Sequence, residues 1–302
     1  MKCLSPLKIP NPRYLHELGE VKYLNVPCGK CPACLWNKRE EWALRCELES
    51  KRTPFQNYFF TLTYNQLNLP LIEDEKTKSV LPYFPKEHVR NFCKNLSRLA
   101  EKYNDGVTPR YILVSEYSPA WRPHYHGILF GCTREQELRK YLTRCWCEGK
   151  HPLGNVQVGR LQDGGSRYCF KYLFKQNYDR RLSPPLFRCS RRPGIGRYQM
   201  SSDLKEYIHE RQRKIYPSRG SFLKLPRVLA SEVFTDDELR EIGETQSSEM
   251  VLEDNNRFVA LLAEGLSPEQ ADRVLCDERQ QTWNALKRKL NNSCKHSKNK
   301  IQ

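Results

Sequence analysis

Long apolar runs are absent from this sequence. No stretch approaches the ~18 consecutive apolar residues of a membrane-spanning helix, so no such span is expected. The opening Met1-Lys2-Cys3-Leu4-Ser5-Pro6 lacks the continuous apolar core of a secretory signal, which points to the cytoplasm. Apolar residues are scarce overall, at 38% with a mean hydropathy of −0.76. There is no internal repeat and no low-complexity tract, which leaves charge as the guide to organisation. Acidic residues are the minority: 35 Asp and Glu stand against 51 Lys and Arg, a net charge of +16. That surplus calls for a polyanionic partner, nucleic acid before a membrane surface.

What is present argues against wholesale disorder. Sixteen Tyr, 12 Phe and 5 Trp can anchor a core. In a reducing compartment the 13 cysteines are expected as thiols or metal ligands rather than disulfides. Charge is unevenly spread. Residues 165–230 hold 16 basic against 4 acidic side chains, residues 231–286 hold 4 against 14, and residues 287–302 hold 6 against none.

The middle of the chain yields an order of elements. Aromatic and β-branched residues over Asn57–Tyr64 predict a strand. Val89, Phe92, Cys93, Leu96 and Leu99 carry helical periodicity through Lys86–Lys102. Arg110–Tyr117 and His124–Gly131 read as strands joined by the turn-like segment 118–123. Arg134–Trp146 reads as a helix, Asn155–Leu161 as a strand, and Ser166–Gln176 as a further helix. The order β-α-β-β-α-β predicts an α+β fold: a ferredoxin-like, split βαβ antiparallel sheet with helices on one face.

Chemistry concentrates at two places. In Arg122-Pro123-His124-Tyr125-His126, the strand period of two sends His124 and His126 to one face, about 7 Å apart along the strand. Pairing across the turn brings Glu116 opposite or beside them. Two imidazoles and a carboxylate make an open divalent-metal site; two half-exposed histidines that bind nothing is the plainer alternative. The second place is Tyr168-Cys169-Phe170-Lys171-Tyr172. On a helix, Tyr168 and Tyr172 lie one turn apart on one face, flanked by Lys171 and Lys175. A tyrosine oxygen there could attack a DNA phosphodiester, with Lys171 offsetting phosphoryl charge. The alternative is an aromatic stripe facing the core.

Cys28, Cys31 and Cys34 run C-x2-C-x2-C, with Cys3 as the preferred fourth ligand of a structural zinc site. An iron–sulfur cluster and plain thiols remain alternatives. Arg191, Arg192 and Arg197 lie in a segment interleaved with Tyr198, Tyr207 and Tyr216, which suits single-stranded or melted DNA. Arg122 and Lys175 are further DNA-contact candidates. Phe258–Leu275 reads as a helix-turn-helix with Gly265 at the turn. Its acidity favours a packing or partner-binding role.

His-aromatic-His on a strand followed by Tyr-x-x-Lys-Tyr resembles the HUH endonucleases of the rolling-circle initiator superfamily. The Pro27–Cys34 segment, Arg39, Trp42, Ser115-Glu116-Tyr117, Arg122–His126 and Ser190-Arg191-Arg192-Pro193-Gly194-Ile195-Gly196 resemble the microvirus replication initiators, especially the gokushovirus branch. Many relatives carry Gly where this chain has Ser115. The resemblance covers roughly residues 3–230. It implies a site-specific nick that leaves a 5′-phosphotyrosine and a free 3′-OH, followed by strand joining. It also implies Mg²⁺ or Mn²⁺ at the nuclease site. Origin DNA and the host helicase and polymerase would be partners, in the cytoplasm of a host bacterium. On this reading residues 1–52 are a Cys-rich segment and helix, and 53–180 the nuclease core. Residues 181–230 are a basic DNA-binding extension, and 231–302 a helical region with a basic tail. A non-enzymatic zinc-dependent DNA-binding protein, a plasmid or transposon HUH nuclease and an RNA-binding sheet protein are the competing readings.

Overall fold

The computed structural model describes residues 1–11, 22–52, 54–75, 77–161, 170, 181–197, 200–218 and 220–292. The chain divides into two compact units, one from residues 1–41 and 199–293 and one built on 42–198. The division falls within the long helix α1 (Pro32–Arg52).

The second unit is a mixed α/β domain around a five-stranded antiparallel sheet. Its strands are β1 (Tyr58–Tyr64), β2 (Arg110–Tyr117), β3 (Pro123–Phe130), β4 (Gly154–Arg160) and β5 (Phe187–Cys189). Their spatial order is β4-β1-β3-β2-β5, with every neighbouring pair antiparallel. β1 and β2 therefore run in the same direction with β3 inserted between them. Two helices follow the strands in the expected places, α2 (Lys86–Arg98) and α3 (Glu135–Cys145).

The period of two divides the sheet chemically. Phe60, Leu62 and Tyr64 of β1, Leu113 of β2, and Tyr125 and Leu129 of β3 enter one core. That core also takes Val89, Phe92 and Leu96 from α2 and Leu138, Tyr141 and Leu142 from α3. The opposite face carries Thr61, Thr63, His124 and His126.

The expected helix over Lys86–Lys102 is broken. It stops at Arg98, where Leu99 leaves helical geometry (φ −100°, ψ 2°), and resumes for one turn over Ala100–Tyr103. β5 was not foreseen. Its three residues are half-buried and rest on pairing with β2 rather than on an apolar pattern of their own. The helix expected over Ser166–Gln176 lies outside the described residues except for buried Phe170.

In the first unit, helices α4 (Asp236–Ala263) and α5 (Pro268–Asn292) reverse at Gly265, whose φ of +93° suits glycine. They are 28 and 25 residues long, so Phe258–Leu275 is the bend of a long helical hairpin rather than a compact helix-turn-helix. Thr235 and Glu238 close a reciprocal capping box at the start of α4. Arg257 bridges to Glu278 at 2.7 Å and Arg279 to Asp254 at 3.3 Å between the two helices. No described helix is long and apolar enough to cross a membrane.

Gly127, immediately after the second histidine, has a packing reason. A Cβ there would meet the Phe60 ring at 2.2 Å and the Ile112 carbonyl oxygen at 2.6 Å. Gly127→Ala should therefore cost roughly 1–3 kcal/mol of stability through overpacking, read as a lower midpoint in urea unfolding.

Candidate active site

The site is built by register. Thr63 pairs with His124 and Thr61 with His126 across β1–β3, while Glu116 pairs with His124 across β3–β2. Directly paired residues share a face, so five polar side chains from three strands converge. The Thr63 hydroxyl lies 3.0 Å from His124 Nδ1, and the Thr61 hydroxyl 3.0 Å from His126 Nδ1. Each ring can donate Nδ1–H to its threonine, and that tautomer puts the lone pair on Nε2.

Glu116 pairs in register with His124, yet its carboxylate reaches diagonally. Oε2 lies 3.3 Å from His126 Nε2, and both side chains are largely shielded from solvent. Phe59 stacks near His126 at a centroid distance of 5.8 Å. Burial first, then the neighbouring His126, holds the His124 imidazole below its ordinary value. A neutral ring is the form a metal requires.

The His126–Glu116 pair fits a divalent ion. Two ligand atoms at about 2.1 Å from one ion, 90–109° apart, are themselves about 3.0–3.4 Å apart. The His126–Glu116 separation of 3.3 Å falls in that range. The histidine ring centroids are 6.4 Å apart. His124, His126 and Glu116 could hold the ion, with Thr61 and Thr63 orienting the rings from behind. The threonines were missed in the sequence, although their i, i+2 spacing in Thr61-Leu62-Thr63 matches that of His124-Tyr125-His126 in the next strand.

Residues 57–177, which span four of the five strands, match the family model of the replication-associated protein ORF2. The chain is 28% identical over 248 residues to "Replication-associated protein ORF2" of Spiroplasma virus 4, covering 72% of each sequence. It is 26% identical over 198 residues to "Replication-associated protein ORF4" of Chlamydia phage 1, covering 54% of this chain and 45% of that relative. Residues 57–177 are a replication-associated domain of the ORF2 family. The wider chain resembles the microvirus-type replication initiators. No solved structure matches it.

Tyr168, Lys171, Tyr172 and Lys175 of this domain lie outside the described residues. Between them, Phe170 is fully buried and packs near Trp42 of α1 at a centroid distance of 5.9 Å. The Arg122 guanidinium donates to the Tyr64 carbonyl at 2.9 Å and to Gln66 Oε1 at 2.7 Å. It thereby ties the hairpin turn to the end of β1. Trp121 beside it is 47% exposed.

Arg191, Arg192 and Arg197 are exposed at the ends of a loop with a buried anchor. Glu49 of α1 is buried and accepts from Arg110 Nε at 2.6 Å and from the Gly196 N–H at 2.7 Å. Arg110 also donates to the Pro193 carbonyl at 2.6 Å, and Arg45 to the Ile195 carbonyl at 2.8 Å. Gly196 is at φ +74°, and a Cβ there would meet the Arg45 backbone at 2.6 Å. Ser115, where many relatives have Gly, accepts from the Leu186 N–H at 2.6 Å and so helps seat β5 on the sheet edge. Sequence inspection marked the loop as basic but missed the carboxylate that holds it.

In the other unit, Cys3, Cys28, Cys31 and Cys34 bring four sulfurs within 4.8 Å of one another, an arrangement that could hold a metal ion. Among the described residues no other His, Cys, Asp or Glu ligand atoms form such a group of three or more. Burial acts upward on the Cys28 thiol, but N–H donors from Lys30 and Cys31 and the adjacent thiols bring it down to about 7.

Two outcomes are expected. Thr61→Val with Thr63→Val removes both partners of Nδ1, so imidazole ¹⁵N resonances of His124 and His126 should shift toward the Nε2–H tautomer. Unchanged tautomers would remove the threonines from the site. Glu49→Ala strands Arg110 and should cost roughly 3–5 kcal/mol, measured by denaturant unfolding.

Proposed function

We propose that this chain is a site-specific DNA-nicking and strand-joining HUH endonuclease that initiates rolling-circle replication of a circular single-stranded-DNA phage genome. The observation that carries the reading is the central strand β3. It holds His124 and His126 on one face, each Nδ1 engaged by a threonine, with Glu116 3.3 Å from His126 Nε2. The strand order β4-β1-β3-β2, antiparallel throughout, supports a ferredoxin-like split βαβ core. The match to replication-associated proteins and the net charge of +16 support a DNA substrate.

On this reading His124, His126 and Glu116 hold Mg²⁺ or Mn²⁺. The ion supplies Lewis-acid polarisation of the scissile phosphate when bound. The phenolic oxygen of Tyr168 or Tyr172 attacks the phosphorus. The P–O3′ bond breaks, the 3′ oxygen leaves and takes up a proton, and the 5′ phosphate stays on tyrosine. Lys171 offsets negative charge at the phosphoryl oxygens. The second tyrosine cuts the regenerated origin, and the free 3′-OH attacks the retained phosphotyrosine to close the circle. Arg191, Arg192 and Arg197 on their anchored loop, with Arg122 and Lys175, hold the DNA backbone, and exposed Trp121 offers a ring for base stacking.

The host helicase and polymerase would extend the 3′-OH in the bacterial cytoplasm. We take 53–180 as the nuclease core and 181–230 as the DNA-binding extension. Residues 1–52 are the Cys-rich segment and 231–302 the helical region.

The deciding test mixes purified protein with labelled single-stranded oligonucleotides spanning the cognate origin, with Mn²⁺ or with EDTA. An SDS-resistant adduct should form only with metal. It should vanish in the Tyr168→Phe, Tyr172→Phe double variant while DNA binding persists, and each single variant should keep partial cleavage. His124→Ala or His126→Ala should abolish nicking. Valine at Thr61 and Thr63 should weaken Mn²⁺ binding by roughly 10–100-fold. Nicking by the double tyrosine variant would remove that segment as the nucleophile carrier. Tight binding without any adduct would favour a non-enzymatic DNA-binding protein.

A further inference from the structure

The cysteine cluster is not used by the nuclease reading, and its geometry is specific. The sulfurs of Cys3 and Cys31 are 3.8 Å apart, and all four lie within 4.8 Å. A disulfide would need about 2.05 Å. A tetrahedron of thiolates at the Zn–S distance of about 2.3 Å has edges of about 3.8 Å. A four-iron cage places several metal atoms between its cysteines and needs a wider spread. The spacing therefore suits a single ion.

The backbone is arranged for thiolates. The N–H of Cys28 points to Cys3 Sγ at 3.3 Å, and those of Lys30 and Cys31 to Cys28 Sγ at 3.4 and 3.3 Å. The N–H groups of Leu4 and Cys34 point to Cys31 Sγ, each at 3.5 Å. A neutral thiol is a weak acceptor, whereas a thiolate accepts strongly. Four adjacent thiolates repel one another unless a cation sits among them.

The surroundings show what such an ion would hold. Cys3, Cys31, Cys34 and Ala33 are buried together with Leu286 of α5, and Leu4 and Trp283 pack around them. Cys3 belongs to the first residues of the chain and Cys28–Cys34 to the loop entering α1. Both are thereby brought beside the C-terminal helix. The apolar contribution is small, essentially two leucines, one alanine and one tryptophan.

We propose that Cys3, Cys28, Cys31 and Cys34 bind one Zn²⁺ as a closed tetrathiolate, and that this ion fastens the N-terminal residues and the 28–34 loop against helix α5. With four protein ligands no coordination position is left for substrate, so the role is structural. The inference is independent of the nuclease reading.

The test uses the full-length chain. Elemental analysis after dialysis should find one zinc per chain, retained in His124→Ala and His126→Ala and lost in Cys3→Ser and Cys34→Ser. Replacement by Co²⁺ should give the intense visible bands and sulfur charge transfer of tetrahedral thiolate coordination, which reads the site even if the serine variants fold poorly. Chelation should sharply increase hydrogen exchange at residues 1–5, 28–35 and 280–288. No bound zinc, zinc lost with the histidines but kept in the cysteine variants, bound iron with a sulfide-cluster absorbance, or a mapped disulfide among the four would each overturn the proposal. Failure of DNA nicking with zinc in place would leave the proposal standing and count against the nuclease reading alone.

Discussion

The register of three strands is the constraint on which the rest of the sheet domain depends. Because side chains alternate with a period of two, one alignment of β1, β3 and β2 has two consequences at once. It puts Phe60, Leu62, Leu113 and Tyr125 into the core and lines up Thr61, Thr63, Glu116, His124 and His126 on the other face. A slip by one residue would bury the histidines and expose the aromatics. The apolar cost of that slip protects the polar face, so the core maintains the geometry of the site. Gly127 belongs to the same logic, since Phe60 fills the space its side chain would occupy.

A second organising interaction is the buried carboxylate of Glu49. It receives Arg110 from β2 and the Gly196 N–H. One side chain thus joins helix α1, the sheet and the basic loop. The loop has little apolar content of its own, and a buried charge is stable only where its partners are held in place. Exposed Arg191, Arg192 and Arg197 are consequently presented from a rigid base rather than from a freely moving segment. In the other unit the cysteine cluster has a comparable part, drawing segments distant in sequence around one small centre.

The comparison of sequence with structure is uneven for physical reasons. The strands and helices between residues 57 and 160 were legible because each carries a strong period, 2 for the strands and 3.6 for Lys86–Arg98. Glu116 was legible as a partner of the histidines because a short turn joins its strand to theirs. The strand Phe187–Cys189 was not, because three residues are too few to show a period and its stability comes from β2. Thr61 and Thr63 were overlooked because threonine in a strand is ordinary until the strand beside it is known. The long helices of the C-terminal hairpin have mixed polar surfaces, so only the turn near Gly265 stood out.

By itself, the sequence determined the kinds of chemistry available: paired histidines at strand spacing, paired tyrosines at helical spacing, a tight run of cysteines and a basic surplus. These are local patterns, set by covalent spacing and side-chain type. Only the tertiary structure decided which distant residues complete them. It brought Cys3 to Cys28 across 25 positions of backbone, and the two threonines to the two imidazoles across more than 60. It also seated Glu49 beneath the arginine loop across 147. Such pairings depend on how the whole chain buries its apolar surface, and no short stretch of sequence contains that information.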